Sequence, residues 1–456
     1  MTQQVIAIFD IGKTNKKLFL FNDEYKIVYE QSSKFEEIVD EDGFPCDDIK
    51  SLSEWVKTSL HEVLNQQEFD VKAINFSTYG ASFVYVDDKG EVVTPLYNYL
   101  KPYAENLQKK FYDTYSGEDE FSRITASPIL GNLNSGMQIY RIKYEKPEVF
   151  KKIKHALHLP HYVSYLLTGD AHSEITSIGC HTNLWNFDSK EYHQWVKAEG
   201  IDKLLPEIKN CTDVLPSIFP GAPDKIGVGL HDSSAALIPY LMSVSEPFIL
   251  ISSGTWCISL NPFNDTPLKA SELKQDCLCY LQYTGQPVKA SRLFAGHEHD
   301  EQSTRIATYF SVDTNFYKHI NYDERLIKAL RITEKNEVEE NDFSQKDLSV
   351  FSSIEEAYHQ LMLDLVSKQF VSTSLVMKGS QVKKIFVDGG FSKNIIFMQL
   401  LASAFTGVEV YAAEVAQATS LGAALAIHSS WNKNELPTDL IELQLYRHPE
   451  CVIGRP

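Results

Sequence analysis

Apolar runs separated by short polar turns open the chain. Val5–Phe9 is unbroken and ends at Asp10, Leu18–Phe21 follows, and Ile27–Tyr29 is a third run beyond the polar stretch Asn22-Asp23-Glu24. This pattern predicts three strands, the second and third joined as a hairpin. Only Ile11 to Lys16 separates the first two, too short for a crossover helix, so they are predicted to be antiparallel as well. Periodicity predicts a helix over 51–64. Strands are predicted over 73–76 and 82–86, with Asp87-Asp88-Lys89-Gly90 as a turn.

The second half repeats the opening. A helical stretch over 233–243 leads into the apolar run from Phe248, the small polar loop Ser252-Ser253-Gly254-Thr255-Trp256, and a further run over 257–260. A strand, a glycine turn and a strand thus occur at both 5–21 and 248–260. We read this as an internal duplication, with domains over 1–243 and 244–456. The polar, acidic stretch 334–349 reads as a solvated surface segment. Near the end, Ile385-Phe386-Val387 predicts a strand, Asp388-Gly389-Gly390 a turn, and 394–405 a helix whose Ile396, Leu400 and Ala404 face a core.

Length agrees with that division, since 456 residues at roughly 150 per domain give two or three. A composition 43% hydrophobic and 23% charged is that of a globular chain. Against 61 acidic residues stand 43 basic ones, a net charge of −18. That balance argues against a nucleic-acid partner, which wants a basic stripe, but not against a small anion held in a local pocket. The N-terminus has no basic region before its apolar run, so no signal peptide is expected. No apolar stretch reaches the roughly 20 residues of a membrane span, so no membrane partner is expected. The seven cysteines, Cys46, Cys180, Cys211, Cys257, Cys277, Cys279 and Cys451, are scattered and odd in number, as suits reduced thiols in the cytoplasm. Cys277 and Cys279 lack the two-residue gap of a zinc knuckle. The 23 tyrosines and 25 phenylalanines belong mostly to the core, with some available for a homodimer interface.

Three apparent motifs fail. Gly12-Lys13-Thr14 looks like the end of a P-loop, but Ala7 stands where the first glycine is needed and a strand, not a helix, follows. Gly227-Val-Gly229 needs a third glycine at 232, where the chain has Asp232. His297-Glu298-His299-Asp300 lacks flanking ligands at metal spacing and reads as a polar surface loop.

Three glycine loops offer phosphate-binding chemistry. Gly12 lets backbone approach a phosphate, Thr14 and Asn15 add donors, and Lys13, Lys16 and Lys17 add positive charge. Asp10 at the strand end can hold a hydrated Mg²⁺, which takes few protein carboxylates. Taken alone, this stretch reads equally as an ordinary glycine hairpin. Ser252-Ser253-Gly254-Thr255 repeats the chemistry. Asp388-Gly389-Gly390 permits a flat ligand against backbone, with Ser392 or Asn394 capping the next helix. Asp232 precedes a helix and reads both as its N-cap and as a general base for a hydroxyl attacking phosphorus.

These pieces, in this order and over nearly the whole chain, resemble the FGGY carbohydrate kinases. The resemblance includes Leu166-Leu-Thr168-Gly169 and the small-residue run Ser420-Leu-Gly422-Ala423-Ala424-Leu425. His231-Asp232, Ser253-Gly-Thr-Trp256, Asp10-x-Gly-x-Thr-Asn15 and the turn Thr78–Val84 look most like the L-rhamnulose and L-fuculose kinase branch. The resemblance implies an actin-like α/β fold of two ribonuclease-H-type domains, with ATP and a sugar in the cleft between them. It implies Asp232 as catalytic base, with Asp10 and Asp232 as the Mg²⁺ residues. Gly80, Ala81, Ser82 and His231 would meet the sugar. Gly12, Lys13, Thr14, Asn15, Lys17, Gly254, Thr255, Gly389, Gly390 and Asn394 would meet ATP. The implied reaction is phosphorylation of the 1-hydroxyl of a 6-deoxy-ketohexose. A pentulose or polyol kinase, a sugar-independent ATPase or phosphatase, and a non-catalytic nucleotide sensor on the same fold are the alternatives. Lys13 stands where the family has a small residue, Tyr97–Lys101 lacks the acid–Arg pattern some members turn to sugar hydroxyls, and Gly296-His-Glu-His departs from the usual glycine-rich stretch.

Overall fold

The computed structural model describes residues 2–334 and 342–447, with backbone only for 331–334. Two mixed sheets form its frame. The first contains β1 (Gln3–Ile11), β2 (Lys16–Asn22), β3 (Ile27–Ser33), β4 (Phe69–Thr78), β5 (Val214–Leu215), β6 (Ile226–Gly227) and β7 (Leu230–His231). Its order is β5-β6-β4-β1-β2-β3, with β7 also paired to β4. β1 is antiparallel to β2, setting Asp10 opposite Lys17, and parallel to β4, setting Asp10 opposite Ser77. Val5 to Phe9 are wholly buried, as an unbroken apolar run requires when a strand is covered on both faces. Helix α1 (Ile49–Leu64) precedes β4, and Asp48 caps it by accepting the N–H groups of Lys50 and Ser51. That cap starts the helix two residues before the predicted 51.

Helix α2 (Asp232–Ser243) leaves β7 and leads into the second half. The second sheet contains β8 (Phe248–Ser253), β9 (Cys257–Asn261), β10 (Cys277–Leu281), β11 (Pro287–Leu293), β12 (Lys384–Gly389), β13 (Glu409–Glu414) and β14 (Glu442–Tyr446). Its order is β10-β11-β9-β8-β12-β13-β14. Helices α3 (Ala295–Phe310), α4 (Ile354–Met377), α5 (Ile395–Ala404) and α6 (Ala418–Ala426) are the main helices that position the site in this half. β8 is antiparallel to β9 and parallel to β12, as β1 is to β2 and β4. The predicted duplication is therefore present in the topology. It also brings α2 and α6, the helices that follow β7 and β13, against each other. A Cβ on Gly422 of α6 would lie 1.8 Å from the carbonyl oxygen of Ala235 on α2, so glycine sets that close approach.

A smaller helical unit is inserted between β4 and β5. The predicted strand at 82–86 belongs to it: Phe83–Val86 pairs with His155–His158 instead of joining the main sheet. Phe83, Tyr85, Phe111, Tyr140 and Trp195 form its separate aromatic core.

Three predicted local features come out differently. Asp232 is the first residue of α2, and His231 holds the N-cap position. His297–Asp300 lies inside α3 rather than in a loop, with His299 buried. The acidic segment 334–349 falls partly on 335–341, outside the described residues, as does Cys451. Its remainder forms two short turns that bury Phe343 and Leu348, because one side of this segment covers the core beneath it. No helix among the described residues is long and apolar enough to cross a membrane.

Candidate active site

Pairing of β7 with β4 sets His231 beside Thr78, which joins the predicted sugar turn to the predicted catalytic residue. Gly80 follows at once. A Cβ there would come within 2.7 Å of the His231 ring, so the imidazole lies directly on the turn. Ala81 takes the left-handed conformation at φ 59°, an uncommon strain for a residue with a side chain. Its carbonyl accepts from Gln138 Nε2 at 2.7 Å, and the carbonyl of Ser82 accepts from the Leu159 N–H at 3.2 Å. The His231 ring stacks on Tyr280 from β10 of the second half. Its Nε2 lies 3.2 Å from Asp232 Oδ1 and 3.3 Å from Cys180 Sγ. Burial holds the imidazole down at about 4, so it is neutral at physiological pH.

Asp232 keeps 31% of its side chain exposed, enough to meet a ligand. Burial pushes its carboxyl up to about 6, against hydrogen bonds to Oδ1 from the backbone N–H and hydroxyl of Ser233. Asp10 is raised for the same first reason, and the charge of Asp232 adds to it. Asp10 Oδ2 accepts from Thr419 Oγ1 at 2.6 Å and Ser420 Oγ at 2.9 Å, both at the start of α6. The first-half acid is thus held by second-half hydroxyls. No hydrogen bond within the protein engages Asp10 Oδ1 or Asp232 Oδ2 among the described residues. Each carboxylate so keeps one hard oxygen, a donor set that fits Mg²⁺ carrying several waters.

The first loop is a tight hairpin in which the Gly12 N–H donates to the Asn15 carbonyl at 2.9 Å, leaving Thr14 and Asn15 exposed. The lysines around it are placed otherwise than their sequence positions suggest. Lys13 Nζ binds Asp47 at 2.7 Å and Glu37 at 2.9 Å. Lys16 is only 2% exposed and reaches the other oxygen of Asp47 at 3.1 Å. Lys17 pairs with Glu30 at 3.2 Å while still facing Asp10 across the strand pair. Tyr79 donates to Asp47 at 2.7 Å, so this one carboxylate ties the loop to the sugar turn.

Ser253 knits the other two loops together. Its carbonyl accepts from the Gly390 N–H at 2.8 Å, and its hydroxyl donates to the Asp388 carbonyl at 2.5 Å and accepts from the Phe391 N–H at 3.0 Å. Gly389 sits at φ +91°, where a Cβ would lie 1.9 Å from the Ser253 carbonyl oxygen. A Cβ on Gly296 would lie equally close to the oxygen of Gly254. These contacts bound a pocket of ≈ 530 Å³ lined by Gly254, Thr255, Gly296, His299, Asp300, Tyr317, Gly390, Phe391 and Asn394. Asn394, not Ser392, caps α5, accepting from the N–H groups of Ile396 and Phe397. The structure therefore collects Gly254, Thr255, Gly390 and Asn394 in one wall, and Asp10, Gly80–Ser82, His231 and Asp232 around the cleft.

Matches to known sequences agree with this architecture. The family description of the FGGY carbohydrate kinases matches as an N-terminal domain over residues 5–238 and as a C-terminal domain over 245–435. The chain belongs to the FGGY family of carbohydrate kinases. Among curated relatives, a rhamnulokinase of Mannheimia succiniciproducens is 22% identical over 92% of this chain and 89% of its own length. A rhamnulokinase of Halalkalibacterium halodurans is 25% identical over 55% of this chain, and the match spans 54% of that protein. A carbohydrate kinase from Novosphingobium aromaticivorans superposes with a TM-score of 0.80 at 22% identity, covering 98% of this chain and 95% of its own. A xylulose kinase from Lactobacillus acidophilus gives 0.77 at 16% identity, over 98% and 94%. The fold is the actin-like one, two ribonuclease-H-type α/β domains about a cleft.

Sequence reasoning missed the parts played by Thr419, Ser420, Asp47, His299 and Tyr358, and it named Ser253 only as a donor of the second loop. The small-residue run at 420–425 was the one signal available, and it points to helix packing as readily as to hydroxyls on Asp10.

Proposed function

We propose that this protein transfers the γ-phosphoryl group of ATP to a sugar hydroxyl, most specifically the 1-hydroxyl of a 6-deoxy-ketohexose such as L-rhamnulose or L-fuculose. The observation that carries this reading is Asp232, partly open to the cleft, raised toward neutrality and set beside the Gly80–Ser82 turn. A sugar on that turn presents its hydroxyl to Asp232, which takes the proton as the oxygen attacks phosphorus. ADP leaves toward the pocket beyond Gly254. Neutral His231, within hydrogen-bond distance of Asp232 Oδ1, orients the carboxylate and contacts the sugar. Mg²⁺, when bound near Asp10 and Asp232, neutralises phosphate charge. Lys13, Lys16 and Lys17 of the first loop are already paired, so backbone N–H groups carry most of the protein's own phosphate recognition.

We assign residues 1–243 to the sugar and first phosphate loop and 244–456 to the nucleotide. The six cysteines among the described residues, Cys46, Cys180, Cys211, Cys257, Cys277 and Cys279, are buried free thiols and support a reducing, cytoplasmic setting.

An ADP-release screen over ketohexoses, pentuloses, aldoses and polyols tests the reading. Release stimulated by a 6-deoxy-ketohexose above all other sugars is the expected result. Stimulation by a pentulose or polyol instead would keep the kinase and change its substrate. ADP release without any sugar would mark an ATPase, and no release with any sugar a sensor.

A further inference from the structure

Behind the nucleotide pocket runs a file of hydrogen bonds whose direction is forced. Asn394 spends its Oδ1 on the N–H groups of Ile396 and Phe397, each at 3.1 Å. Two backbone donors therefore fix which end of the carboxamide is oxygen. Its Nδ2 donates to the Tyr358 hydroxyl at 2.7 Å. An amide nitrogen cannot accept, so the Tyr358 oxygen is the acceptor in that bond and its hydrogen must serve another partner. That partner is His299 Nε2, 2.9 Å away. Nε2 must then be bare, and the ring proton sits on Nδ1, 3.3 Å from Asp300 Oδ1. Ser303 Oγ lies 3.5 Å from the same Nε2. Burial holds the His299 imidazole below its ordinary value, which keeps the neutral form this pattern needs. Tyr358 is fully buried on α4, while His299, Asp300 and Asn394 line the pocket.

The consequence lies in what Asn394 has left to offer. Its oxygen is occupied and one Nδ2 hydrogen is committed, so a single N–H remains. We propose that Tyr358 and His299 are positioning residues for the nucleotide. Their file of bonds locks the Asn394 carboxamide so that this N–H is presented as a fixed donor to a ring-nitrogen acceptor of a purine base. The inference rests on the reading that this pocket takes the adenosine of ATP. Without the Tyr358 hydroxyl, Asn394 Nδ2 loses its anchor, and the helix cap alone no longer sets the angle of the remaining N–H. Phe391 and Tyr317 supply the aromatic faces beside it, Phe391 being itself held by a stack on Phe397 with centroids 4.4 Å apart.

Calorimetric titration with two probes tests this: ATP, and inorganic tripolyphosphate, which has no base. Tyr358→Phe should weaken ATP binding about 5- to 10-fold, the worth of one hydrogen bond with its orphaned partner. Tripolyphosphate affinity and the KM for sugar should not change, which a general loss of structure would not allow. His299→Gln keeps an acceptor for the hydroxyl and should retain most of the ATP affinity, whereas His299→Leu should match Tyr358→Phe. ATP binding by Tyr358→Phe at the wild-type level, or equal losses for ATP and tripolyphosphate, would overturn the inference. Wild-type protein that binds ATP but is indifferent to Asn394→Ala would instead overturn the reading of the pocket on which it stands.

Discussion

Asp232 meets two demands that usually conflict. It is open enough to reach a hydroxyl, yet surrounded by enough protein for burial to lift it to about 6. A base with that value is ionised at neutral pH and still holds a proton well enough to take one. The rate should therefore depend on its titration. kcat/KM is expected to rise with pH up to about 6 and to level off above, because only the carboxylate form accepts the proton. His231, held down at about 4, stays neutral over that range and adds no second limb there. Asp232→Asn keeps the shape and removes the base. Turnover should fall by about 10²–10⁴, with the ATP dissociation constant nearly unchanged. A pH–rate series on the wild type and ATP titration of the variant check both statements, and wild-type turnover by Asp232→Asn would falsify the assignment.

At the scale of elements, the proposed nucleotide wall depends on two loops touching through backbone. Ser253 bonds to Asp388, Gly390 and Phe391, and Gly389 comes so close that no side chain fits. Gly389→Ala would place a Cβ against the Ser253 carbonyl in a left-handed backbone conformation, so β8 and β12 must part at their ends. We expect a stability loss of about 1–3 kcal/mol in urea unfolding, and an ATP affinity reduced while sugar affinity is kept. Equal loss of both would mean the strain spreads beyond this half. The first loop works differently, since Asp47 gathers Lys13, Lys16 and Tyr79 on one carboxylate and leaves Thr14 and Asn15 at its tip.

The whole molecule is joined where α2 meets α6. Asp232 begins α2, and Thr419 and Ser420 at the start of α6 hold Asp10, so the helix contact also sets the distance between the two acids. Gly422→Val puts a branched side chain where even a Cβ would lie 1.8 Å from the Ala235 carbonyl. The halves should be wedged apart, costing about 1–3 kcal/mol as overpacking does. Turnover should drop more than either binding constant, because each half keeps the ligand residues proposed for it while Asp10 loses its hydroxyls. Thermal unfolding together with separate ATP and sugar titrations would show this, and unchanged turnover would sink it.

Much of this was legible in the chain because its signals are contiguous. The unbroken run Val5–Phe9, the glycine turns after β1 and β8, and Asp232 at a helix start are local facts, and a duplicated pattern of strands implies a duplicated sheet. A cap by Ser392 or Asn394 follows from their side chains and the helix beyond them, and the structure chooses Asn394. Other features are made by residues that meet only in the fold. Lys13 and Lys16 read as free charge because Asp47 comes from a segment that nothing in its spacing links to the loop, and Lys17 because the predicted hairpin does not by itself show that Glu30 reaches it. His299 read as part of a surface loop because its partner Tyr358 lies 59 positions away. Asp10 meets Thr419 across 409 positions. The sequence by itself determined the family pattern, the repeated strand–glycine turn–strand units and the residue types now proposed for the chemistry, since those are properties of residue type and local pattern. Tertiary structure alone decided which charges are spent on each other, how far burial lifts Asp232 and which way each hydrogen bond runs, since these depend on distances between segments that local pattern does not encode.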